Sequence, residues 1–355
     1  TTLNFLKNTL TSLNSILTGV YIKTLQDSIE MRASDMDFLA IIQIPAIINE
    51  PGEVIVSGDF ISKVIKGMRS EEVEIYTKNT DQMLYIESNS SEYSLLSMNL
   101  KDYPFIERLN QTESILHIKG NILKDLMTKT SFACAKDDVK PIFKCIFFDF
   151  EDKKLKCVGT DSHRLAIKTY TLQEQPALQN LLIPNDFLSE ISKNINDEMN
   201  IDFYMSSGKI AVQADNLYMQ TKLIEGNFPA YQKIIPKDFN TKVTFNVQEM
   251  ISAVENASRF AKDGKYINCQ ISAREFIIVV NNPELGKAKE IIGCKTVGMD
   301  TEITFNAEYI IQILKKFDSE EAGLFINSAT APCSIRQSND ESYNYIISPM
   351  RVINN

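Results

Sequence analysis

Several absences narrow the possibilities for this 355-residue chain before any motif is read. Nothing near its start resembles a secretory signal, and the richest apolar stretch, Phe38 to Ile48, is far too short to span a bilayer. A cytoplasmic chain is expected. Histidine is nearly missing, with only His117 and His163, and the six cysteines (Cys134, Cys145, Cys157, Cys269, Cys294 and Cys333) include no closely spaced pair. That pattern supplies neither a zinc site nor a disulfide framework, so buried reduced thiols are expected, with no metal or other cofactor. The chain also lacks a GxxxxGK(S/T) phosphate loop, a GxSxG nucleophile elbow and an HExxH pair. Asp161, Ser162 and His163 invite a hydrolase reading. Three consecutive residues cannot fold their side chains into a nucleophile, base and orienter relay, so no enzyme is expected.

What the chain does contain is repetition. An acidic residue followed by an aromatic one opens a helix-like segment at Asp59-Phe60, Asp186-Phe187 and Glu308-Tyr309, spaced by 127 and 122 positions. Ala33-Ser34-Asp35 running into Leu39-Ala40 returns 126 positions later as Gly159-Thr160-Asp161 running into Leu165-Ala166. Tyr103-Pro104 returns as Phe228-Pro229, at an offset of 125. Three markers with nearly one period imply a triplicated unit of about 118 residues, close to the commonest domain size. The expected domains are 1–110, 111–235 and 236–355.

Each unit reads as helix, strands, helix, strands. Asn121 to Phe132 places Ile122, Leu123, Leu126, Met127 and Thr130 at helical spacing, and Val247 to Phe260 does the same with Met250, Ile251, Val254 and Ala257. Strands are expected at 144–150, 154–159, 165–170, 199–205, 209–214, 218–224, 267–272 and 275–280. The opening acid of each second helix sits at the positive end of the helix dipole. The fold class is therefore α+β, with three tandem copies of a domain that packs two helices on antiparallel sheets.

Charge is distributed unevenly. The chain as a whole carries 37 Lys and Arg against 46 Asp and Glu, net −9, which argues against indiscriminate nucleic-acid binding. Its helical segments disagree: Lys7, Lys63, Lys66, Arg69, Lys124, Lys129, Lys193, Arg259, Lys262, Lys315 and Lys316 outnumber Asp59, Asp125, Asp186, Glu190, Glu249, Glu255 and Glu308. A polyanion could gather along the helices while the strands repel it. Lysines near helix ends that merely complement helix dipoles would leave the same pattern.

Four separated segments carry a resemblance over essentially the whole chain: Gly159-Thr160-Asp161-Ser162-His163-Arg164-Leu165-Ala166, Glu225-Gly226-Asn227-Phe228-Pro229-Ala230-Tyr231, Phe305-Asn306-Ala307-Glu308-Tyr309 and Ser348-Pro349-Met350-Arg351-Val352. Together they resemble the bacterial sliding-clamp family, the beta subunits of DNA polymerase III. The resemblance implies a head-to-tail homodimer, a ring of six repeats with helices lining the hole and sheets outside. Such a ring would hold double-stranded DNA by topology, without base readout, through the eleven helical cations named above. It would tether the polymerase III alpha subunit, the clamp loader and repair proteins, raising their local concentration at DNA.

The resemblance also implies a partner-peptide pocket between the second and third domains. One wall would come from Phe143, Thr160, Ser162, His163, Arg164 and Leu165, the other from Pro229, Lys233, Ile234, Asn306, Tyr309, Thr330 and Pro332. The run Ile346, Ile347, Ser348, Pro349, Met350 and Arg351 would close it, with Met350 as an adaptable floor. A dimer contact is expected at Tyr103, Phe105 and Phe260. The chain departs from the family's usual pattern in three places: Ser162 stands where glycine is usual, Ser348 where methionine is common, and Thr11 to Asn14 forms a short loop without an expected arginine. An adaptor scaffold that binds no DNA is the rival reading.

Overall fold

Runs of isoleucine, valine and tyrosine, broken by tight turns, make strands the main element of the chain. The computed structural model describes residues 19–34, 37–70, 72–78, 80–103, 105–110, 113–137, 140–174, 176, 180–261 and 266–350. The expected helix around Lys7, the short loop at 11–14, and Pro104, Lys262 and Arg351 lie outside them. The first strands are β1 (Gly19–Thr24), β2 (Ser28–Ser34), β3 (Leu39–Pro45) and β4 (Glu53–Ser57), followed by helix α1 (Gly58–Gly67). Then come β5 (Glu74–Thr77), β6 (Met83–Ser88), β7 (Ser91–Met98), β8 (Leu116–Lys119) and α2 (Gly120–Thr130). The middle of the chain supplies β9 (Cys145–Glu151), β10 (Lys154–Thr160), β11 (Arg164–Thr171), β12 (Leu181–Pro184) and α3 (Asn185–Asn194), then β13 (Asn200–Ser206), β14 (Lys209–Ala214) and β15 (Leu217–Lys222). Last are β16 (Thr241–Asn246), α4 (Val247–Ser258), β17 (Tyr266–Ile271), β18 (Glu275–Asn282), β19 (Gly286–Val297), β20 (Thr301–Asn306), α5 (Ala307–Leu314), β21 (Glu321–Ile326), β22 (Cys333–Gln337) and β23 (Tyr343–Ile347). No helix among the described residues is long and apolar enough to cross a membrane.

The chain divides into two compact units, Thr1–Lys124 with Asp186–Leu223, and Asp125–Asn185 with Ile224–Asn355. The first holds an 11-stranded sheet, in the order β5-β6-β7-β4-β1-β2-β3-β15-β14-β13-β8. The second holds a 12-stranded sheet, in the order β12-β9-β10-β11-β23-β22-β21-β16-β19-β18-β17-β20. All pairings among the described residues are antiparallel, whether a hairpin joins the strands or not.

In each sheet the pairing between the strands farthest apart in sequence repeats one pattern. In the first unit β3 meets β15, with Leu39 opposite Gln220 and Ile42 opposite Leu217. In the second, β11 meets β23, with Leu165 opposite Ile346 and Lys168 opposite Tyr343. Moving both members of the first joint forward by 126 positions yields the second, Leu39 to Leu165 and Gln220 to Ile346. This is the offset of the Ala33 and Gly159 markers, so one joint is built twice from duplicated sequence.

Besides the strands that end each sheet, β7 and β19 leave much of one edge free among the described residues. β7 pairs with β6 over 91–96 but with β4 only at Ser97 and Met98. β19 pairs with β18 over 286–293 and with β16 only over 294–297. Large apolar side chains stand exposed along both, Leu96 at 69% and Met98 at 43% on β7, Ile291 at 53% on β19. Unpaired backbone beside apolar side chains is a template for another strand.

The helices bury the faces that their spacing predicts. Leu123, Leu126 and Met127 of α2, Met250, Ile251, Val254 and Ala257 of α4, and Ile310, Ile313 and Leu314 of α5 are all core residues. Asn246 caps α4 by accepting from the amides of Gln248 and Glu249, and Asn306 caps α5 by accepting from that of Glu308. The opening aromatics are less uniform than their sequence likeness suggests: Phe187 is buried edge-on against Phe38, Tyr309 is half-buried, and Phe60 is 59% exposed beneath the Lys63 ammonium. Tyr103, expected at a dimer contact, is instead a core residue. Its ring packs 5.6 Å from that of Tyr21 and its hydroxyl donates to the Arg32 carbonyl. Phe105 packs edge-on against both rings and stays 55% exposed, and Phe260 is partly buried on the core of the second unit.

Candidate functional site

A hairpin turn forms the rim of a cavity in the second unit. Thr160 and Leu165 face each other across β10 and β11, and the residues between them are held by side-chain bonds. The Thr160 hydroxyl accepts from the Ser162 amide (3.1 Å) and donates to the Arg164 carbonyl (2.5 Å). Asp161 Oδ1 accepts from the amides of His163 (3.0 Å) and Arg164 (3.1 Å). The His163 carbonyl accepts from the Ser348 amide (3.0 Å), tying the turn to the end of β23. Gly159 lets β10 approach α2: a Cβ there would stand 2.4 Å from the Thr130 carbonyl oxygen.

Arg164 fastens this turn from beneath. Its guanidinium is buried, donates Nε to Asp161 Oδ2 (3.0 Å) and Nη2 to the Phe132 carbonyl (2.6 Å), and reaches Gln312 of α5 through Nη1. The same group lies 4.2 Å from the centroid of the Tyr309 ring. Burial pushes the Tyr309 hydroxyl above its usual pKa, and Asp161, which accepts a bond from it, pushes the same way. Arg164 is thus a positioning residue, because its donors are spent within the chain.

The opposite wall is the segment from Gly226 to Ile235. Gly226, at φ 151°, passes over Ile142 where a Cβ would come within 2.9 Å. Phe228 stacks on Phe147 at 4.6 Å, and Tyr231 joins Val158, Leu165, Ile167 and Ile346 in one apolar cluster. Beneath it the buried Asp149 carboxylate accepts from the Tyr231 hydroxyl (2.5 Å) and the Gln232 amide nitrogen (3.2 Å). Burial, then the bond to Asp149, drives the Tyr231 hydroxyl far above the usual tyrosine range, so it stays a donor at every physiological pH.

Between these walls lies a cavity of about 250 Å³. Eleven expected residues line it: Phe143, Thr160, Ser162, His163, Arg164, Leu165, Pro229, Ile234, Pro332, Ile346 and Ser348. Phe228, Ala230 and Tyr231 line it unexpectedly, although Phe228 and Tyr231 belong to a segment already singled out by its sequence. The cavity's lining does not include Lys233, Asn306, Tyr309, Thr330, Ile347, Pro349 or Met350. Ile347 points into the core on the face opposite Ile346, Asn306 is occupied as a helix cap, and Tyr309 lies under Arg164. Met350, the expected floor, is not in that lining, and its amide donates to the Thr304 carbonyl of β20 (2.8 Å). Both Asp161 oxygens serve the turn and Arg164, which removes the carboxylate that a hydrolase relay would need.

The helical cations fall into three groups. Lys129 is withdrawn from any ring lining: its ammonium is buried against Asp318 (2.7 Å) and the Lys316 carbonyl. Lys63, Lys124, Lys193 and Lys315 are in ion pairs with Asp59, Asp197, Glu190 and Glu255. Such surface pairs contribute about 0–1 kcal/mol and exchange readily for another anion. Lys66, Arg69, Arg259 and Lys316 have no ion-pair partner among the described residues. Arg69, Arg259, Lys315 and Lys316 stand just beyond helix ends rather than within helices. No group of three or more potential metal ligands occurs among the described residues.

Models of the N-terminal, central and C-terminal domains of the DNA polymerase III beta subunit match residues 7–107, 117–230 and 232–351. The chain is 29% identical over 350 residues to the beta sliding clamp of Bacillus subtilis, across 95% of this chain and 92% of that one. It is 26% identical over 348 residues to that of Staphylococcus aureus, with the same coverage. Its fold is similar to the crystal structure of the DNA polymerase III beta chain from Streptococcus pneumoniae, with a TM-score of 0.90, 26% identity, and coverage of 99% of this chain and 98% of that one.

Proposed function

Because the chain belongs to the DNA polymerase III beta-subunit family, we propose that two copies close head to tail into a ring that encircles duplex DNA and tethers replication proteins to it. The chain is a non-catalytic processivity clamp. Its three modules are 1–110, 111–235 and 236–355, and six modules make the ring.

The observation that carries this reading is the duplicated joint. Leu39 opposite Gln220 becomes Leu165 opposite Ile346 after one period of 126. One further step on the first strand reaches Ile291, and one step back on the second reaches Ser94. Ile291 lies on the free edge of β19 and Ser94 on the free edge of β7. We place this third joint between two copies, where each edge gains a strand and Leu96, Met98 and Ile291 lose their exposure. Two such contacts related by a twofold axis close the assembly. Phe105 and Phe260 are assigned to the margin of this contact, and Tyr103 is not.

Inside the ring, Lys63, Lys66, Arg69, Lys124, Lys193, Arg259, Lys315 and Lys316 make sequence-independent contacts with phosphates, and Lys7 and Lys262 are assigned the same role. Topology holds the DNA, so these contacts can stay weak enough for sliding. The cavity beside the Asp161 turn takes a short apolar peptide from the polymerase alpha subunit, the clamp loader and other partners. Work on replicating DNA places the chain in the cytoplasm. Retention on a nicked circular plasmid after loading, with release on linearisation, is the expected behaviour. Equal retention on both forms would exclude a ring, and no retention on either would favour the adaptor reading.

A further inference from the structure

Among the described residues Arg32, Arg164 and Arg336 are the arginines withdrawn from solvent, and the first two hold a carboxylate, Glu30 and Asp161. Arg336 of β22, half-buried, has no ion-pair partner among the described residues. Its Nε donates to the Ser334 hydroxyl (2.9 Å), which donates in turn to Asn344 Oδ1 (2.7 Å), so the guanidinium is fixed from one side. Both Nη groups are left without an acceptor among the described residues. Burial pushes the group below its usual pKa, and no neighbouring anion offsets this.

A glycine places the ring on which Arg336 rests. Arg336 stands opposite Gly323 of β21, where a Cβ would come within 2.9 Å of the Phe325 ring, so the missing Cβ lets that ring lie down along its strand. The guanidinium carbon is 5.0 Å from the centroid of Phe325 and 5.4 Å from that of Phe239, and the two rings are 5.2 Å apart. On the other side of β21, Lys242 of β16 stands opposite Phe325 with its ammonium 5.4 Å from the same centroid. Lys242 is exposed and likewise has no ion-pair partner among the described residues. Val243, Leu324 and Ile335 are core residues, so alternation turns Lys242, Phe325 and Arg336 to the opposite face of the sheet. The ring faces attract both cations but do not take up the hydrogens of the guanidinium fork. None of these residues lines the cavity described above.

We propose that Arg336 and Lys242, seated on Phe239 and Phe325, form a docking site for an acidic peptide segment of a partner protein. An extended segment with acidic residues at alternate positions presents its carboxylates on one side, about 7 Å apart. One carboxylate takes the free fork of Arg336 and the next meets Lys242, which flanks the same ring. Charge-assisted bonds to a planar fork are strong and directional. A nucleic acid suits the site less well, because Glu321 lies on the same face of β21 and the chain is net −9, so closely spaced phosphates meet repulsion around two cations.

The test uses a synthetic peptide of four Glu-Ala pairs with one terminal tryptophan, titrated with the full-length chain. The chain has no tryptophan, so the anisotropy of the peptide's indole reports binding without background. In about 50 mM salt, where exposed charges are weakly screened, this peptide is expected to bind at least about tenfold more tightly than its Gln-Ala counterpart. Arg336→Gln should abolish that preference, and Arg336→Lys, which keeps the charge but not the fork, should fall between. Lys242→Gln, at an exposed position, should weaken the acidic peptide by about threefold, whereas Lys154→Gln, an exposed lysine elsewhere on the second unit, should leave it unchanged. Equal binding of the two peptides overturns the site. So does a loss at Lys154→Gln as large as at Lys242→Gln, which would mark diffuse attraction. Displacement of the peptide by an equal concentration of ten-residue oligothymidylate overturns the peptide assignment in favour of a nucleic acid.

Discussion

The hydroxyl of Tyr231 is the sharpest place to test how the pocket wall is held. Phenylalanine keeps the ring in its apolar cluster and removes only the donor to Asp149, leaving that buried carboxylate with the Gln232 amide alone. A hydrogen bond to a charged group contributes about 1.5–3 kcal/mol, so Tyr231→Phe should cost about 2 kcal/mol. Asp149→Asn keeps an acceptor but removes the charge, and a neutral bond contributes about 1 kcal/mol. In the Asp149→Asn background the same tyrosine change should therefore cost only about 1 kcal/mol, a coupling of about 1 kcal/mol. Urea unfolding followed by circular dichroism measures all four proteins; the chain has no tryptophan to report by fluorescence. A cost below about 0.5 kcal/mol in the unaltered background, which is typical of an unremarkable surface change, would refute the reasoning. So would equal costs in both backgrounds.

Ile291→Asp should convert the dimer to monomers. It forfeits roughly 2 kcal/mol of apolar burial at each of two contacts, which weakens dimerisation by about a thousandfold, and an unchanged sedimentation profile would exclude the β19 edge. Acid should unfold the chain partly through Asp340. Its burial favours the neutral acid, but the bonds from Lys168 and Ser342 outweigh this and hold the carboxyl below its usual range. The stabilisation is therefore complete above about pH 4 and is lost as pH falls through the lowered value; Asp340→Asn should flatten the pH dependence of the unfolding midpoint in that window. Thiol reagents at pH 8 should modify the native chain mainly at Cys294, the one half-buried cysteine, because burial pushes Cys145 and Cys333 up to about 12 and Cys134, Cys157 and Cys269 up as well. Rapid labelling of all six without denaturant would contradict the packing described.

The repeat markers were legible because duplicated sequence preserves its spacing. The offset between Ala33 and Gly159 is also the offset between the two strand joints, although the pairing itself could not be read from sequence. Pocket residues near the Asp161 turn were legible for a similar reason, since a short turn keeps neighbours in sequence together in space. The misplacements arose where side-chain direction or distant packing decides. Ile346 and Ile347 look alike in sequence, but alternation along β23 sends one to the cavity and the other to the core. Lys129 reads as one more helical cation because its partners, Asp318 and the Lys316 carbonyl, are nearly 190 residues away. Tyr103 shares an aromatic-proline marker with Phe228, yet the first packs inward and the second forms a pocket wall. Helical spacing likewise could not reveal that Phe60, unlike Phe187, stays exposed.

The central claim is a ring closed through β7 and β19, and a cross-link tests it most directly. Cysteines introduced together at Ser94 and Ile291 should oxidise to a covalent dimer, since directly opposed strand residues lie within disulfide reach. Once joined at both contacts, that dimer should stay on circular DNA through a wash in high salt and slide off after the circle is cut. Failure of the two cysteines to join copies, or a joined dimer that leaves intact circles as fast as linear DNA, would contradict the account.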